Sequence, residues 1–277
     1  MTEATPAATK PGTAAQGRPI WYELMTPDPG AVRPFYRAVL GWDIPEDRVS
    51  TPTGHPYWMI GRADGGFAGG VLLLTPEMTV GGARPGWLPY FHVADVAAAV
   101  DKAAGLGAKV WLPPMDTEHG TMAMLGDPQG ASFYVMDPVP PADHPEAASD
   151  VFKAKAPGHC AWNELETTDE PGATAFYTAL FGWNADNAMP MGDKGDYRFI
   201  EAGGEPIGAI NPWLADYMKV GWLPYFGVAD IDAAKAAAEN SGGTVTHDIH
   251  EVPGGDMIFT ATDPAGAPVG FVGPKGA

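Results

Sequence analysis

The sequence lacks the features that would cross-link it, embed it in a membrane or bind it to an anionic polymer. Among its 277 residues there is one cysteine, Cys160, so no disulfide can form within the chain, which fits a reducing cytoplasm. It contains no run of about 18 apolar residues of the kind that forms a membrane-spanning helix. Only 16 Lys and Arg residues oppose 34 Asp and Glu residues, and the net charge of −18 repels nucleic-acid phosphates and anionic lipid. We therefore expect a cytoplasmic, acidic protein without nucleic-acid or membrane partners.

What the sequence does contain is an internal repeat. GWLPYFHVADV at residues 86–96 returns as GWLPYFGVADI at residues 221–231, and the DPQGA segment that begins at Asp127 returns as DPAGA at Asp263. The repeated segments keep their order along the chain. A length of 277 residues is also typical of about two domains. The repeat therefore predicts a duplicated domain.

The boundaries of the two copies follow from proline and from composition. Several prolines interrupt residues 138–157, which we interpret as a linker between a first domain at 18–137 and a second domain at 158–277. Residues 1–17 are rich in Ala, Thr, Pro and Gly and have no apolar segment, so we predict a disordered tail there.

Each copy is itself predicted to contain two similar halves. In the first half, residues 20–26 can form a strand, and the apolar residues from Val32 to Leu40 follow helical spacing until Gly41 ends the helix. In the second half, a strand at 88–93 leads into a helix that Asp95 can cap. Further short strands are indicated after each helix. The order predicts four βαβββ units and an α+β fold.

The ordered set of motifs resembles one protein superfamily. FYRAVLGW and FYTALFGW after a first strand, and the Asp-Pro-x-Gly turn before a last strand, are similar to the glyoxalase/bleomycin-resistance/dioxygenase superfamily, also called vicinal oxygen chelate (VOC). The GWLPYF element and the tandem arrangement resemble most a bacterial two-domain branch labelled hydroxylase or glyoxalase-like antigen. The resemblance implies that two βαβββ units form a curved-sheet cup. Whether the units pair within one copy or across copies stays open, as does formation of a homodimer.

The resemblance also implies where metal-dependent members hold their ion, and the residues found there do not suit one. A divalent ion needs three or four oxygen or nitrogen ligands, whereas these positions carry mainly indole, aliphatic or glycine residues. We therefore predict no metal and no other cofactor. The positions are Trp21 and Trp162, Leu88 and Leu223, Tyr134 and Gly270, and residues 70–74 of the first copy.

Strand alternation then predicts what lines the cups, because residues two apart on a strand face the same side. In the first copy, Glu23 is the candidate general base and His92 or Tyr134 the candidate acid, since burial would raise the pKa of a carboxyl among apolar neighbours. The second copy would lack the histidine, so the two cups should differ. The candidate ligand-binding residues are Trp21, Leu88, Tyr90, Trp162, Glu164 and Tyr225.

Three functions remain open from the sequence. The first is a metal-free binding protein that sequesters a small aromatic or cationic organic molecule, in a resistance role. The second is a metal-independent isomerase, lyase or hydroxylase-like enzyme with Glu23 as the base. The third is a metal-dependent glyoxalase or dioxygenase whose ligands lie in a different strand register. Each of them expects a small-molecule ligand or substrate as the partner.

Overall fold

The computed structural model describes residues 14–51, 53–212 and 219–276. Residues 1–13 of the predicted disordered tail therefore lie outside the described residues. Its last four residues instead lie against the first copy, where the backbone N–H of Gly17 donates to the carbonyl of His92 at 2.8 Å. The carbonyl of Gly17 in turn accepts from the indole N–H of Trp183. These bonds give the end of the predicted tail a fixed place.

The first copy follows the predicted order of strands and helices. Its elements are β1 (Pro19–Thr26), α1 (Pro29–Leu40), β2 (Tyr57–Gly61), β3 (Phe67–Leu73), α2 (Pro76–Val80), β4 (Gly86–His92), α3 (Val96–Gly105), β5 (Lys109–Thr117), β6 (Gly120–Gly126) and β7 (Ser132–Pro138).

The second copy repeats this order with one additional short strand, and its described residues contain no counterpart of α2. Its elements are β8 (Cys160–Glu166), α4 (Glu170–Phe181), β9 (Ala188–Pro190), a 3-10 turn (Gly192–Lys194), β10 (Asp196–Ala202), β11 (Glu205–Asn211), β12 (Gly221–Gly227), α5 (Ile231–Asn240), β13 (Thr244–Glu251), β14 (Met257–Thr262) and β15 (Pro268–Gly273).

Each copy builds its own mixed sheet, so the question left open by the sequence is answered in favour of pairing within a copy. The first sheet has the order β2-β3-β1-β4-β7-β6-β5, and the second has the order β13-β14-β15-β12-β8-β11-β10-β9. In both sheets the two halves join where their opening strands pair antiparallel, β1 with β4 and β8 with β12. The predicted α+β fold with two tandem domains is confirmed. The sheets are curved but do not close into barrels.

One of the four predicted units is shortened. Between α1 and β2 the described residues form only isolated bridges, Asp43 with Gly61 and Val49 with Tyr57, where the other units have a further strand. Pro45 and Pro56 lie in this segment. Proline has no backbone N–H to donate to a sheet, which explains why pairing here is interrupted.

The helix ends follow from local sequence. Asp28 and Asp95 accept hydrogen bonds from backbone N–H groups in the first turns of α1 and α3, which would otherwise lack partners. Gly41 ends α1 with φ of 68°, and Gly182 ends α4 with φ of 74°, in the left-handed region that glycine adopts without strain. None of the helices in the described ranges is both long and apolar enough to cross a membrane.

A shared aromatic core joins the two copies back to back. The Tyr22 hydroxyl donates to the Asn163 side chain at 2.8 Å, and these two residues occupy equivalent positions in β1 and β8. Trp42 contacts Phe226 with ring centroids 4.7 Å apart. Buried side chains of both copies belong to one continuous hydrophobic cluster. The face of each sheet that does not enter this core is therefore the face available for a ligand.

Two further hydrogen bonds cross between the copies in a symmetric way. Tyr36 on α1 donates to Asp263 at 3.0 Å, and Tyr177 on α4 donates to Asp127 at 3.1 Å. Both aspartates belong to the repeated Asp-Pro-x-Gly turns. Each also accepts hydrogen bonds from backbone N–H groups of its own turn. The repeated Phe-Tyr pairs and turns found in the sequence thus hold one copy against the other.

Candidate functional site

A large cavity lies on the outer face of the first sheet. Its volume is about 1590 Å³, more than the roughly 300–1000 Å³ typical of sites for drug-sized ligands. Strands β1, β4 and β7 form its floor, and the linker residues 138–141 and 147–151 contribute to its wall. Aromatic rings and thioethers dominate the lining. They include Trp21, Tyr57, Phe67, Tyr90, Trp111 and Tyr134 together with Met25, Met59, Met78, Met115, Met122, Met124 and Met136.

The predicted strand alternation places the floor residues correctly. Trp21, Glu23 and Met25 line the cavity, whereas Tyr22 and Leu24 between them are fully buried in the shared core. Leu88 and Tyr90 of β4 and Tyr134 of β7 line the same cavity. The register accounts for this, because Glu23 pairs with Leu88, and Tyr90 pairs with Tyr134. The five predicted residues of this floor therefore lie together.

Glu23 is the central polar group of the floor. Its side chain is 3% exposed, and it accepts one hydrogen bond on each oxygen, from Tyr90 to Oε2 and from Tyr134 to Oε1, both at 3.0 Å. The two tyrosine rings stack with centroids 4.1 Å apart. Burial raises the pKa of Glu23 to about 7, although the two tyrosine hydrogen bonds oppose the shift. Glu23 can therefore exchange a proton near neutral pH.

Neither tyrosine beside Glu23 is a ready proton donor. Burial raises the pKa of Tyr90 and of Tyr134 well above the ordinary value for tyrosine, and the charge of Glu23 raises both further. These hydroxyl groups therefore hold the carboxylate through hydrogen bonds rather than transferring protons to it.

The predicted partner of Glu23, His92, is not in this cavity. His92 stands at the end of β4, is 3% exposed and does not line the cavity. Burial lowers its pKa, with the nearby Ala15 backbone and Asp137 carboxylate opposing the shift. Among the residues that the structure describes, neither ring nitrogen has a partner within hydrogen-bond geometry. At His92 the backbone of β4 pairs with the segment that leads into β1, where the N–H of His92 donates to the carbonyl of Arg18 at 2.9 Å.

A second polar pair of the cavity, Trp21 and Tyr57, was not singled out as a pair by the sequence. The indole N–H of Trp21 donates to the hydroxyl of Tyr57 at 2.8 Å. Tyr57 lies over Gly70, where a β-carbon would stand 2.0 Å from the tyrosine hydroxyl oxygen. Tyr57 begins a strand after a Pro- and Gly-rich segment, so its direction could not be deduced from alternation. The only sequence feature that pointed to Tyr57 was the short apolar run that forms β2.

The positions that the resemblance gives to metal ligands carry unsuitable side chains. Trp21, Leu88 and Tyr134 line the floor together, and the part of β3 paired with Glu23 offers Gly70. This set provides one phenol oxygen, already bonded to Glu23, and no imidazole. Such a set does not fit a divalent ion of the superfamily, which needs three or four oxygen or nitrogen ligands.

One group of three potential ligands occurs elsewhere in the described part of the chain. Asp64, Asp150 and His159 bring their ligand atoms within 4.8 Å of one another. Arg62 already occupies this group, since its guanidinium bonds Asp64 at 3.1 Å and Asp150 at 2.5 Å. The arginine lowers the pKa of Asp64 to about 2. We interpret the group as an ion-pair network that fastens the linker to the β2–β3 hairpin.

The second copy presents a different polar site. Glu164, equivalent to Glu23, accepts from Tyr197 at 2.6 Å and from Tyr225 at 3.4 Å. The indole N–H of Trp162 donates to the Tyr197 hydroxyl at 2.9 Å, as Trp21 does to Tyr57. Trp162, Glu164 and Tyr225 therefore lie together, as predicted for the second cup. The position of Tyr134 is held here by Gly270, which pairs with Tyr225.

A second carboxyl, Glu166, distinguishes this site further. Burial raises the pKa of Glu166 well above its ordinary value, and the charge of Glu164 acts in the same direction, so the two carboxyl groups together hold a proton at neutral pH. Asn211 donates to Glu164 at 3.4 Å and to Glu166 at 3.2 Å. The two cups are thus chemically unequal, as the sequence indicated, with one buried acid in the first and two in the second.

The fold and these cups define a class of protein with two curved mixed sheets in tandem. In each sheet the face that is available for a ligand points away from the common core. Comparison with known families agrees. Residues 21–136 match the profile described as Glyoxalase-like domain, and residues 157–271 match Glyoxalase/Bleomycin resistance protein/Dioxygenase superfamily. The chain belongs to this superfamily and carries two of its domains in tandem.

Related sequences and structures extend the comparison. The anthracycline biosynthesis protein DauV of Streptomyces sp. (strain C5) is 40% identical over 126 residues, which are 45% of this chain and 43% of that protein. The putative glyoxylase CFP32 of Mycobacterium tuberculosis is 35% identical over 113 residues, 40% of this chain and 43% of that protein. The matched part of the chain thus spans less than half of these relatives.

Solved structures show the same fold at low sequence identity. The Mn(II)-bound glyoxalase from Novosphingobium aromaticivorans has a TM-score of 0.61 at 14% identity, covering 94% of this chain and 82% of that one. The 2,3-dioxygenase LapB from Pseudomonas sp. KL28 has a TM-score of 0.57 at 15% identity, covering 95% and 94%. At this identity the likeness concerns the fold.

Proposed function

We propose that the first copy binds a planar, polycyclic aromatic molecule in a metal-free cup. The observation that carries the proposal is the wall of the cavity, where aromatic rings and seven methionines surround one buried carboxyl, Glu23. Flat aromatic ligands stack on such rings, and flexible thioethers adapt to their edges. The size of the cavity suits a ligand larger than a single ring.

The charges at the cavity favour a neutral ligand over a cationic one. Glu23 is the buried acid of the floor, and its pKa of about 7 leaves it partly protonated at neutral pH. At the rim, Arg84 and Lys219 offset Glu118, and Asp150 is already paired with Arg62. The strong negative charge of the whole chain is therefore not concentrated here. Relatives named for anthracycline biosynthesis are consistent with a polycyclic ligand.

Equilibrium dialysis with fluorene, a flat three-ring hydrocarbon, tests the proposal. We expect saturable binding of one fluorene per chain, unchanged by prior dialysis against EDTA. Trp21→Ala should weaken it by about tenfold or more, because the indole supplies stacking area and contact. Trp162→Ala, the equivalent change in the second copy, is the matched control. Absence of saturable binding, or equal losses in both variants, would contradict the proposal.

A second candidate function rests on Glu23 alone. A carboxylate with a pKa of about 7 in an apolar site is a competent general base, so a metal-independent isomerase or lyase is the alternative. Exchange of the acidic C–H hydrogens of 2-indanone in D2O, followed by proton NMR, tests it. We expect Glu23→Gln to abolish any acceleration and Glu164→Gln to leave it. An exchange rate equal to that of buffer would remove this candidate.

A further inference from the structure

The two copies use the same Trp–Tyr pair differently, and the difference concerns one hydroxyl hydrogen. In the second copy, the Tyr197 hydroxyl accepts from Trp162 and gives its hydrogen to Glu164. In the first copy, the Tyr57 hydroxyl accepts from Trp21, and no acceptor for its own hydrogen occurs among the described residues. A phenol hydroxyl can both accept and donate. Tyr57 thus retains one unused donor.

The cause lies in the residues around the two carboxyl groups. Each oxygen of Glu23 already accepts one hydrogen bond, from Tyr90 to Oε2 and from Tyr134 to Oε1. In the second copy, Gly270 occupies the position equivalent to Tyr134, so Glu164 has no tyrosine donor from that position. Glu164 instead accepts a hydrogen bond from the Tyr197 hydroxyl. Tyr134 therefore supplies in the first copy a bond to the carboxylate of the kind that Tyr197 supplies in the second, and Glu23 is held without the Tyr57 hydroxyl.

The position of Tyr57 directs the free donor at the ligand. Tyr57 lines the cavity and is half-buried, and it packs against the buried cluster of Met25, Leu72 and Leu74. Trp21 fixes the hydroxyl oxygen at one side, and the missing side chain of Gly70 makes room for it, since a β-carbon there would stand 2.0 Å from that oxygen. Because Tyr57 lines the cavity, its O–H group can be directed at a ligand there.

We infer that Tyr57 is a specificity-determining residue that donates a hydrogen bond to a carbonyl oxygen of the ligand, so that the cup selects planar aromatic ketones over the matching hydrocarbons. The inference rests on the proposed binding function and names its ligand class. A buried donor left without an acceptor costs free energy, which disfavours ligands that lack a carbonyl at this point.

The test uses two tricyclic probes that differ only at one carbon. Fluorene carries a methylene where 9-fluorenone carries a carbonyl, and both are flat and uncharged. We expect the full-length protein to bind fluorenone about three- to tenfold more tightly than fluorene in equilibrium dialysis, as one net hydrogen bond provides. The quantity compared is the ratio of the two affinities within each protein, and Tyr57→Phe should bring the ratio of fluorenone affinity to fluorene affinity down to about one.

Two variants separate the donor from general effects. Tyr197→Phe makes the same chemical change in the second copy and should keep the fluorenone preference. Gly70→Ala should reduce the preference through displacement of Tyr57, with urea unfolding as the check on folding. For each variant, saturable binding of fluorene first shows that the cup is intact. The affinities for fluorenone and fluorene are then compared in that variant.

The outcomes distinguish the two proposals. A fluorenone preference lost in Tyr57→Phe and kept in Tyr197→Phe supports the role of Tyr57. If both probes bind equally, or if the preference survives in Tyr57→Phe, the role of Tyr57 is overturned while the aromatic cup stands. If neither probe binds, the proposed function fails, and the role of Tyr57 fails with it.

Discussion

Replacing Glu23 with glutamine should make the stability of the protein less dependent on pH. The pKa of Glu23 is about 7 in the folded protein against an ordinary value of 4.5, because burial disfavours its charged form. The folded state therefore holds the proton more tightly than the unfolded state between these two pH values. Stability is highest below the unfolded pKa and falls as pH rises toward 7. Glutamine removes this loss and keeps groups that can bond Tyr90 and Tyr134.

The size of the effect follows from the same shift. Between about pH 5 and about pH 8.5 the wild type should lose about 2–3 kcal/mol of unfolding free energy relative to Glu23→Gln. Urea unfolding of both proteins at the two pH values measures it. Glu118→Gln, which removes a mostly exposed rim carboxylate, is the control and should run parallel to the wild type. Parallel profiles for wild type and Glu23→Gln would refute the assignment of a buried, proton-binding Glu23.

Three further predictions concern the rest of the molecule. Glu166→Gln should raise the unfolding free energy at neutral pH, with a gain that grows as the pH rises, because burial and the charge of Glu164 raise the pKa of Glu166; urea unfolding at several pH values checks it. Tyr36→Phe and Tyr177→Phe should each cost about 1–2 kcal/mol in chemical denaturation, since each removes a donor from a buried aspartate of the other copy. Metal analysis of protein purified without added metal should find no stoichiometric transition metal, and a stoichiometric ion that EDTA removes together with fluorene binding would contradict the metal-free cup.

The sequence was sufficient for most of the fold because its signals are local and occur twice. Helix α1 ends at Gly41, and α3 begins at Asp95, as the capping residues indicated. Alternation along β1 placed Glu23 in the cavity and Tyr22 in the core. These assignments depend on short-range geometry, which the chain encodes within a few residues.

The parts that sequence reasoning missed depend on distant contacts. Strand alternation put His92 on the face of Glu23 but could not show that the His92 side chain stays outside the lining of the cavity. Tyr57 lies on a strand whose start is set by prolines, and its orientation comes from Trp21 and the space over Gly70. Pairing of the halves within one copy likewise required the contact between β1 and β4.

The divergence of the two cups is not reversible by one substitution. In the first copy, Tyr134 donates to Glu23, which is held without the Tyr57 hydroxyl. Placing a tyrosine at Gly270 would not recreate this arrangement, because even a β-carbon there would lie 2.4 Å from the ring of Tyr225. Tyr225 would have to move, and its hydrogen bond to Glu164 would be disturbed. A ligand-facing donor in the second cup therefore needs coordinated changes, which explains how duplicated domains with the same fold come to hold different chemistry.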